Sequence, residues 1–451
     1  SGLYGDGLPD AVPMSVMKAT FTCRVPKSIF DYTENNGVLV YDYDEVKHPA
    51  RVSLYGHGLL GSRGEVNNSS HVKWASREAN LMFCAMNWTG FSTEDVGTAV
   101  AGLVDMNNFP RFIDRQLQGM LNWLVLQEAI VAAPGEGGFM DQPAFNVNGD
   151  PVFQLDYTDA GQTQGGIFYD GNSQGGIMGG ALVAVSPRIC KGILGVPGMN
   201  YSTLLRRSKD FQAERPIDEG VQQTITSQDL AVGYSDAFDT SYQNPMDQAF
   251  LMSLIQMIWD RGETNGYAEF LAPDNSLRSH PVTGANPGEA QCDKDLLLHV
   301  AFGDHQVSHT TAEVMARSAQ MARVENAPGP GRHHDGPNAF FGIPPINAGN
   351  GLFGGSAIIE WDSGPTEVDV PPTENTPPRT KSDPHEHARR AIEAREQKML
   401  YLRSNGQIRP QCGDSQFSNQ KTGYCFSGEM ERRQLETDKL IALDAVRRSL
   451  N

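Results

Sequence analysis

Six short apolar runs recur along this chain without the in-out alternation of a half-exposed strand: Ala50–Gly58, Asn80–Trp88, Gly166–Asn172, Lys191–Gly198, Asp295–Asp304 and Ser356–Asp362. A strand that is apolar on both faces must be covered on both faces. Helical periods stand between them, over Ser69–Asn80 and Arg111–Ala133. This alternation specifies an α/β fold, with a mostly parallel central sheet flanked by crossover helices.

The rhythm breaks twice. Residues 201–290 form a long insertion before the fifth run, and it contains Asp247–Gly262, a helix whose apolar residues go nearly all round. An insertion at this point sits above the C-terminal edge of the sheet, and it reads as a helical cap or lid. A structural hairpin against a partner subunit is the rival reading. Ser363–Pro384 is a proline-rich connection. The expected division is therefore 1–200 for the first part of the core, 201–290 for the cap, 291–403 for the rest of the core, and 404–451 for a C-terminal extension.

One motif within this frame carries chemistry. Gly171-Asn172-Ser173-Gln174-Gly175 is a G-x-S-x-G that follows a strand and precedes a helix of small residues. A nucleophile elbow needs that strand–turn–helix context. A serine hydroxyl is a weak nucleophile near neutral pH and needs a base and an orienting acid. Asp304, at the end of the fifth run, is the candidate acid, because an acid at that end of a strand faces the ligand crevice. Its bland alternative is a helix cap. The candidate base is His385, behind an N-capping Asp383 and Pro384, where a helix N-terminus disfavours imidazolium. His387 is the close rival. The loop Tyr55–Ser62 supplies a candidate oxyanion hole, with the backbone N–H groups of Leu59 and Gln174 as donors. His57 reads as a residue that holds this loop, and His57 and Trp88 are candidate pocket residues.

Bulk properties exclude some partners. The formal charge of −18 argues against a nucleic-acid surface or an anionic membrane, and no apolar run is long enough to span a bilayer. The six cysteines include no CxxC pair, so no metal site and no cofactor are expected. Cys412 and Cys425 close a short polar loop and read as a disulfide, whereas Cys84 and Cys190 read as buried free thiols. The disulfide points to a secreted or periplasmic protein. Because the chain opens on Ser1 rather than methionine, a preceding signal peptide or longer N-terminal region is also an expectation. The segment after Leu402, with a charged helix over Glu431–Leu450, packs back on the sheet or serves association with a second copy.

The oxyanion loop YGHGLLGS, the elbow GNSQG, the acid in FGDHQVS and the histidine in DPHEHAR together resemble the α/β-hydrolase superfamily, from about Arg51 to about Leu402. The chain is similar, more narrowly, to a group of large, poorly characterised bacterial hydrolases sharing the runs NWTGFSTEDV, VPGMNYSTLLRRS and LIQMIWDRGETNGYA. That resemblance implies Ser173 as nucleophile, Asp304 as acid, His385 as base, and Leu59 with Gln174 as oxyanion donors. The expected activity is hydrolysis of a small-molecule or lipid-like carboxylic ester. A peptidase or amidase on the same fold, and a non-catalytic binding module that keeps the elbow, are the alternatives.

Overall fold

The computed structural model describes residues 17–408 except 156–157, 160–161, 164–165, 212–231, 274, 278–293, 325–327, 329–331, 334–339, 347–351, 366, 379 and 404. All six apolar runs are strands: β2 (Ala50–Gly56), β3 (Leu81–Met86), β4 (Ile167–Asn172), β5 (Ile189–Gly195), β6 (Asp295–Ala301) and β8 (Ala357–Trp361). Two shorter strands, β1 (Phe21–Arg24) and β7 (Ala322–Arg323), complete the order β1-β3-β2-β4-β5-β6-β8-β7. A two-residue strand, Phe153–Gln154, also pairs with β2. β1 runs antiparallel to β3, and the pairs from β3 through β7 are parallel. The interior strands are apolar on both faces because both faces are buried.

β4 lies at the centre. Its register sets Gly171 beside Gly56 of β2 and Asn172 beside Gly195 of β5, so the loops leaving these three strands start level with one another. Ligands bind at such C-terminal strand ends in open α/β sheets.

The flanking helices follow from local signals. α1 (Ser70–Ala79) stops at Asn80, which takes the left-handed conformation (φ 50°) that commonly closes a helix. α2 (Phe109–Val131) has Pro110 in its first turn and buries Phe112, Ile113, Met120 and Trp123. α3 (Gln174–Val185) is so rich in glycine and alanine that every residue but its last, Val185, is buried, against β4 and β5 among others. α8 (Ile392–Tyr401) is tied to the centre of the sheet by a buried ion pair, Lys398 Nζ to Asp170 Oδ1 at 2.7 Å.

The insertion supplies α4 (Tyr201–Arg207), α5 (Val232–Ser241) and α6 (Pro245–Trp259). α6 buries Met252, Ile255, Gln256 and Trp259 but leaves Met246, Phe250, Leu254 and Met257 exposed. Its near-complete apolar circumference thus packs on one side. α7 (His309–Ser318) connects β6 to β7. Among the described residues no helix is long and apolar enough to cross a membrane.

The cysteine assignments need correction. Cys84 is not a free thiol but bonds to Cys23, its direct cross-strand neighbour in the β1–β3 pairing. Cys190 is disulfide-bonded as well. Cys412, Cys425 and the helix expected over Glu431–Leu450 lie outside the described residues.

Candidate active site

Ser173 occupies a sharp turn between β4 and α3, with φ 60° and ψ −122°. A side-chain-bearing residue held in such a region costs about 1–3 kcal/mol, and such strain clusters at functional sites. Its backbone is fixed on both sides: the Ser173 N–H donates to the Gly195 carbonyl at 2.9 Å, and its own carbonyl accepts from the Ile177 N–H. The flanking glycines follow from the close approach of strand and helix. A Cβ on Gly175 would run into the Gly56 carbonyl, and one on Gly171 would strike the backbone of Gly175. Ser173 lines a cavity that opens to solvent, with Phe91, Leu103, Phe112, Leu204 and Phe211 in its walls.

Leu59 and Gln174 line the same cavity. His57 holds the loop that carries Leu59. Its Nε2 accepts the Trp88 N–H at 2.8 Å, so Nδ1 bears the proton and donates to the Gly58 carbonyl at 2.7 Å. Burial lowers the His57 pKa to about 4, which keeps that neutral tautomer. The neighbouring N–H groups have protein acceptors: Gly58 donates to Glu65 Oε1, Leu60 to Phe91 O and Gly61 to Gly58 O. His57 and Trp88, expected as pocket residues, are not among the residues that line this cavity. His57 is turned back into its own loop, and Trp88 is buried against Trp123 with ring centres 4.7 Å apart.

Asp304 and His385 meet in the interior, 1% and 3% exposed, with Asp304 Oδ2 2.7 Å from His385 Nδ1. The other carboxylate oxygen of Asp304 accepts the N–H groups of Gln306 and Val307 at 2.8 and 3.0 Å, and these two residues belong to the cavity wall. Asp304 therefore does not cap α7. Asp383 does cap the turn Pro384–Glu386, where its Oδ1 accepts the His385 N–H at 3.1 Å. It also accepts the His305 N–H and the Gln306 side-chain amide, and pairs with Lys209 at 2.6 Å. Burial pushes the His385 pKa down, but the charge and hydrogen bond of Asp304 outweigh it and raise the pKa above 6.5. The net shift is thus opposite in direction to the one a helix N-terminus alone would give. His387 bonds through Nδ1 to the Ser363 hydroxyl. Ser173 and His385 share no hydrogen bond among the described residues.

Sequence reasoning missed how Gln174 is held. Its side-chain oxygen accepts the hydroxyl of Tyr201, whose ring stacks on Trp259 at 4.4 Å and on Phe91 at 5.3 Å. Glu263 accepts the N–H groups of Asn200, Tyr201 and Asn265 and the Gln256 amide, and burial pushes it up to about 7. The three runs noted in the sequence thus converge here, Phe91 coming from the first, Tyr201 from the second, and Trp259 with Glu263 from the third. Asp210 also lines the cavity, and burial pushes it up to about 6 although the charge of His385 opposes the shift. No motif in the sequence marked it.

No family model matches the chain, and no curated protein matches it. Solved structures do. Acetyl xylan esterase 1 from Thermoanaerobacterium sp. is similar at 13% identity over 79% of this chain and 84% of that one, with a TM-score of 0.35. Pyrococcus horikoshii acylaminoacyl peptidase is similar at 10% identity over 78% of this chain, with a TM-score of 0.32, and the match spans 38% of that protein's length. An S-formylglutathione hydrolase from Agrobacterium tumefaciens is similar at 9% identity over 77% and 83% of the two chains, with a TM-score of 0.30. With its mostly parallel sheet, its flanking helices and Ser173 on the turn between β4 and α3, the chain has the α/β-hydrolase fold.

Proposed function

We propose that this protein is a serine hydrolase that cleaves carboxylic esters through an acyl-enzyme. Carrying this reading most directly is the buried Asp304–His385 bond, with a strained serine on the cavity whose wall includes Gln306 and Val307. Ser173 Oγ attacks the acyl carbon while His385 Nε2 takes its proton, the Nδ1 proton being held by Asp304. Charge develops on the former carbonyl oxygen, and the N–H groups of Leu59 and Gln174 stabilise it. His385 then returns the proton to the departing alkoxide, and water attacks the acyl carbon by the reverse sequence to free Ser173.

The largely apolar cavity wall suits an acyl chain or aromatic group. Hydrolysis of a panel of p-nitrophenyl esters and the matched anilides tests the bond preference. Ester turnover lost in Ser173→Ala supports the reading, and anilide turnover that exceeds ester turnover moves it to the amidase alternative. The disulfides at Cys23–Cys84 and Cys190 favour an oxidising, secreted or periplasmic location.

A further inference from the structure

A second cluster of chemistry-bearing side chains lies behind the acid loop. His309 and Glu313 stand one turn apart on α7, and His333 comes from the chain between β7 and β8. One ligand atom from each of these three residues lies within 4.8 Å of the others. Glu313 Oε1 is 3.2 Å from His333 Nε2 and 3.9 Å from His309 Nε2.

We propose that His309, Glu313 and His333 form a site for a first-row divalent transition metal of the zinc type. Two imidazoles with one carboxylate are a donor set for zinc and its neighbours rather than for calcium or magnesium, which take oxygen ligands almost alone. Three protein ligands leave the fourth position of a tetrahedral ion to water. The ligands come from α7 and from the chain between β7 and β8, so the ion fastens these two together. The Phe302 ring lies 4.9 Å from the His309 ring and 6.4 Å from that of His333, and Phe302 stands two residues before Asp304. The metal thereby stiffens the turn that presents Asp304.

The test uses the whole chain, stripped with EDTA and titrated with Zn²⁺ and separately with Co²⁺. Bound metal is measured by mass spectrometry, thermal unfolding is followed, and the visible Co²⁺ spectrum is recorded. The proposal expects about one equivalent retained per chain, a rise of several degrees in Tm, and the intense bands of four-coordinate Co²⁺. His333→Ala and Glu313→Gln each weaken binding by at least about tenfold, while His385→Ala leaves it unchanged. His333 lies outside the helices and strands, so His333→Ala carries the test if Glu313→Gln fails to fold. No retained metal and no Tm response in the folded parent would overturn the proposal. Metal binding lost only in His385→Ala would overturn it too.

Discussion

Asp304 and His385, 81 residues apart in the chain, share a buried hydrogen bond of 2.7 Å between Oδ2 and Nδ1. One bond fixes both the tautomer and the orientation of the imidazole, leaving Nε2 to accept a proton. The carboxylate is fixed in turn by the N–H groups of Gln306 and Val307. An acid just past the end of β6 and a histidine in the turn Pro384–Glu386 become a preorganised pair beside the cavity that Ser173 lines.

A pH profile follows from this pairing. His385 acts as a base only when neutral, and Asp304 raises its pKa above 6.5 against the opposing effect of burial. The acid limb of kcat/KM for ester hydrolysis is therefore expected above pH 6.5. Asp304→Asn is expected to shift that limb downward and to lower kcat by about 10⁴-fold. The same raised pKa stabilises the fold fully below the unfolded value of 6.5, a contribution lost as pH rises through the folded value.

Asp383 organises the turn that carries His385. Asp383→Ala removes the cap on the His385 N–H, the bonds from His305 and Gln306, and the pair with Lys209. A loss of about 1–3 kcal/mol in urea unfolding is expected, along with lower kcat. The Asp383 pKa is depressed, burial opposing and His385 and Lys209 more than offsetting it. Its stabilisation is therefore present above pH 3.8 and lost as pH falls through the folded value. In Asp383→Ala that part of the acid sensitivity disappears.

Tyr201→Phe keeps the stack on Trp259 and deletes the bond to the Gln174 side chain. If Gln174 is an oxyanion donor, loosening its residue weakens the transition state more than the ground state. Steady-state kinetics are expected to show kcat reduced about threefold to tenfold with KM nearly unchanged. A rise in KM at constant kcat would assign Tyr201 to substrate binding instead.

The Cys23–Cys84 disulfide staples the edge strand β1 to β3 across a sequence separation of 61 residues. Replacing both cysteines with alanine is expected to lower stability by about 2–4 kcal/mol. Thermal unfolding of parent and double variant, with and without reductant, measures it. The parent alone should lose stability at this bond.

The central strands were legible because each is apolar on both faces, a pattern that survives without any knowledge of its neighbours. β1 was not, since its four residues are exposed or half-buried and its pairing is set by tertiary contact with β3. The same contact explains the misread cysteine: Cys84 sits among Leu81, Met82 and Phe83 as a core thiol does, and its partner is remote in sequence. Ser173 and its glycines form a local motif and could be read directly, as could Asp383 as a cap. The seat of Gln174 on Tyr201 joins distant segments, and so does the His309–Glu313–His333 cluster. No local pattern announces either. A strand-end position says nothing about which way the Trp88 indole turns, and it packs on Trp123.

The most direct measurement is fluorophosphonate labelling with peptide mass mapping of the parent, Ser173→Ala, His385→Ala and His387→Ala. The expected result is an adduct on Ser173 in the parent, lost in His385→Ala and retained in His387→Ala, whose imidazole belongs to Ser363. Loss in His387→Ala with retention in His385→Ala would contradict the assigned base. No adduct on Ser173 in the folded parent would contradict the account of a serine hydrolase itself.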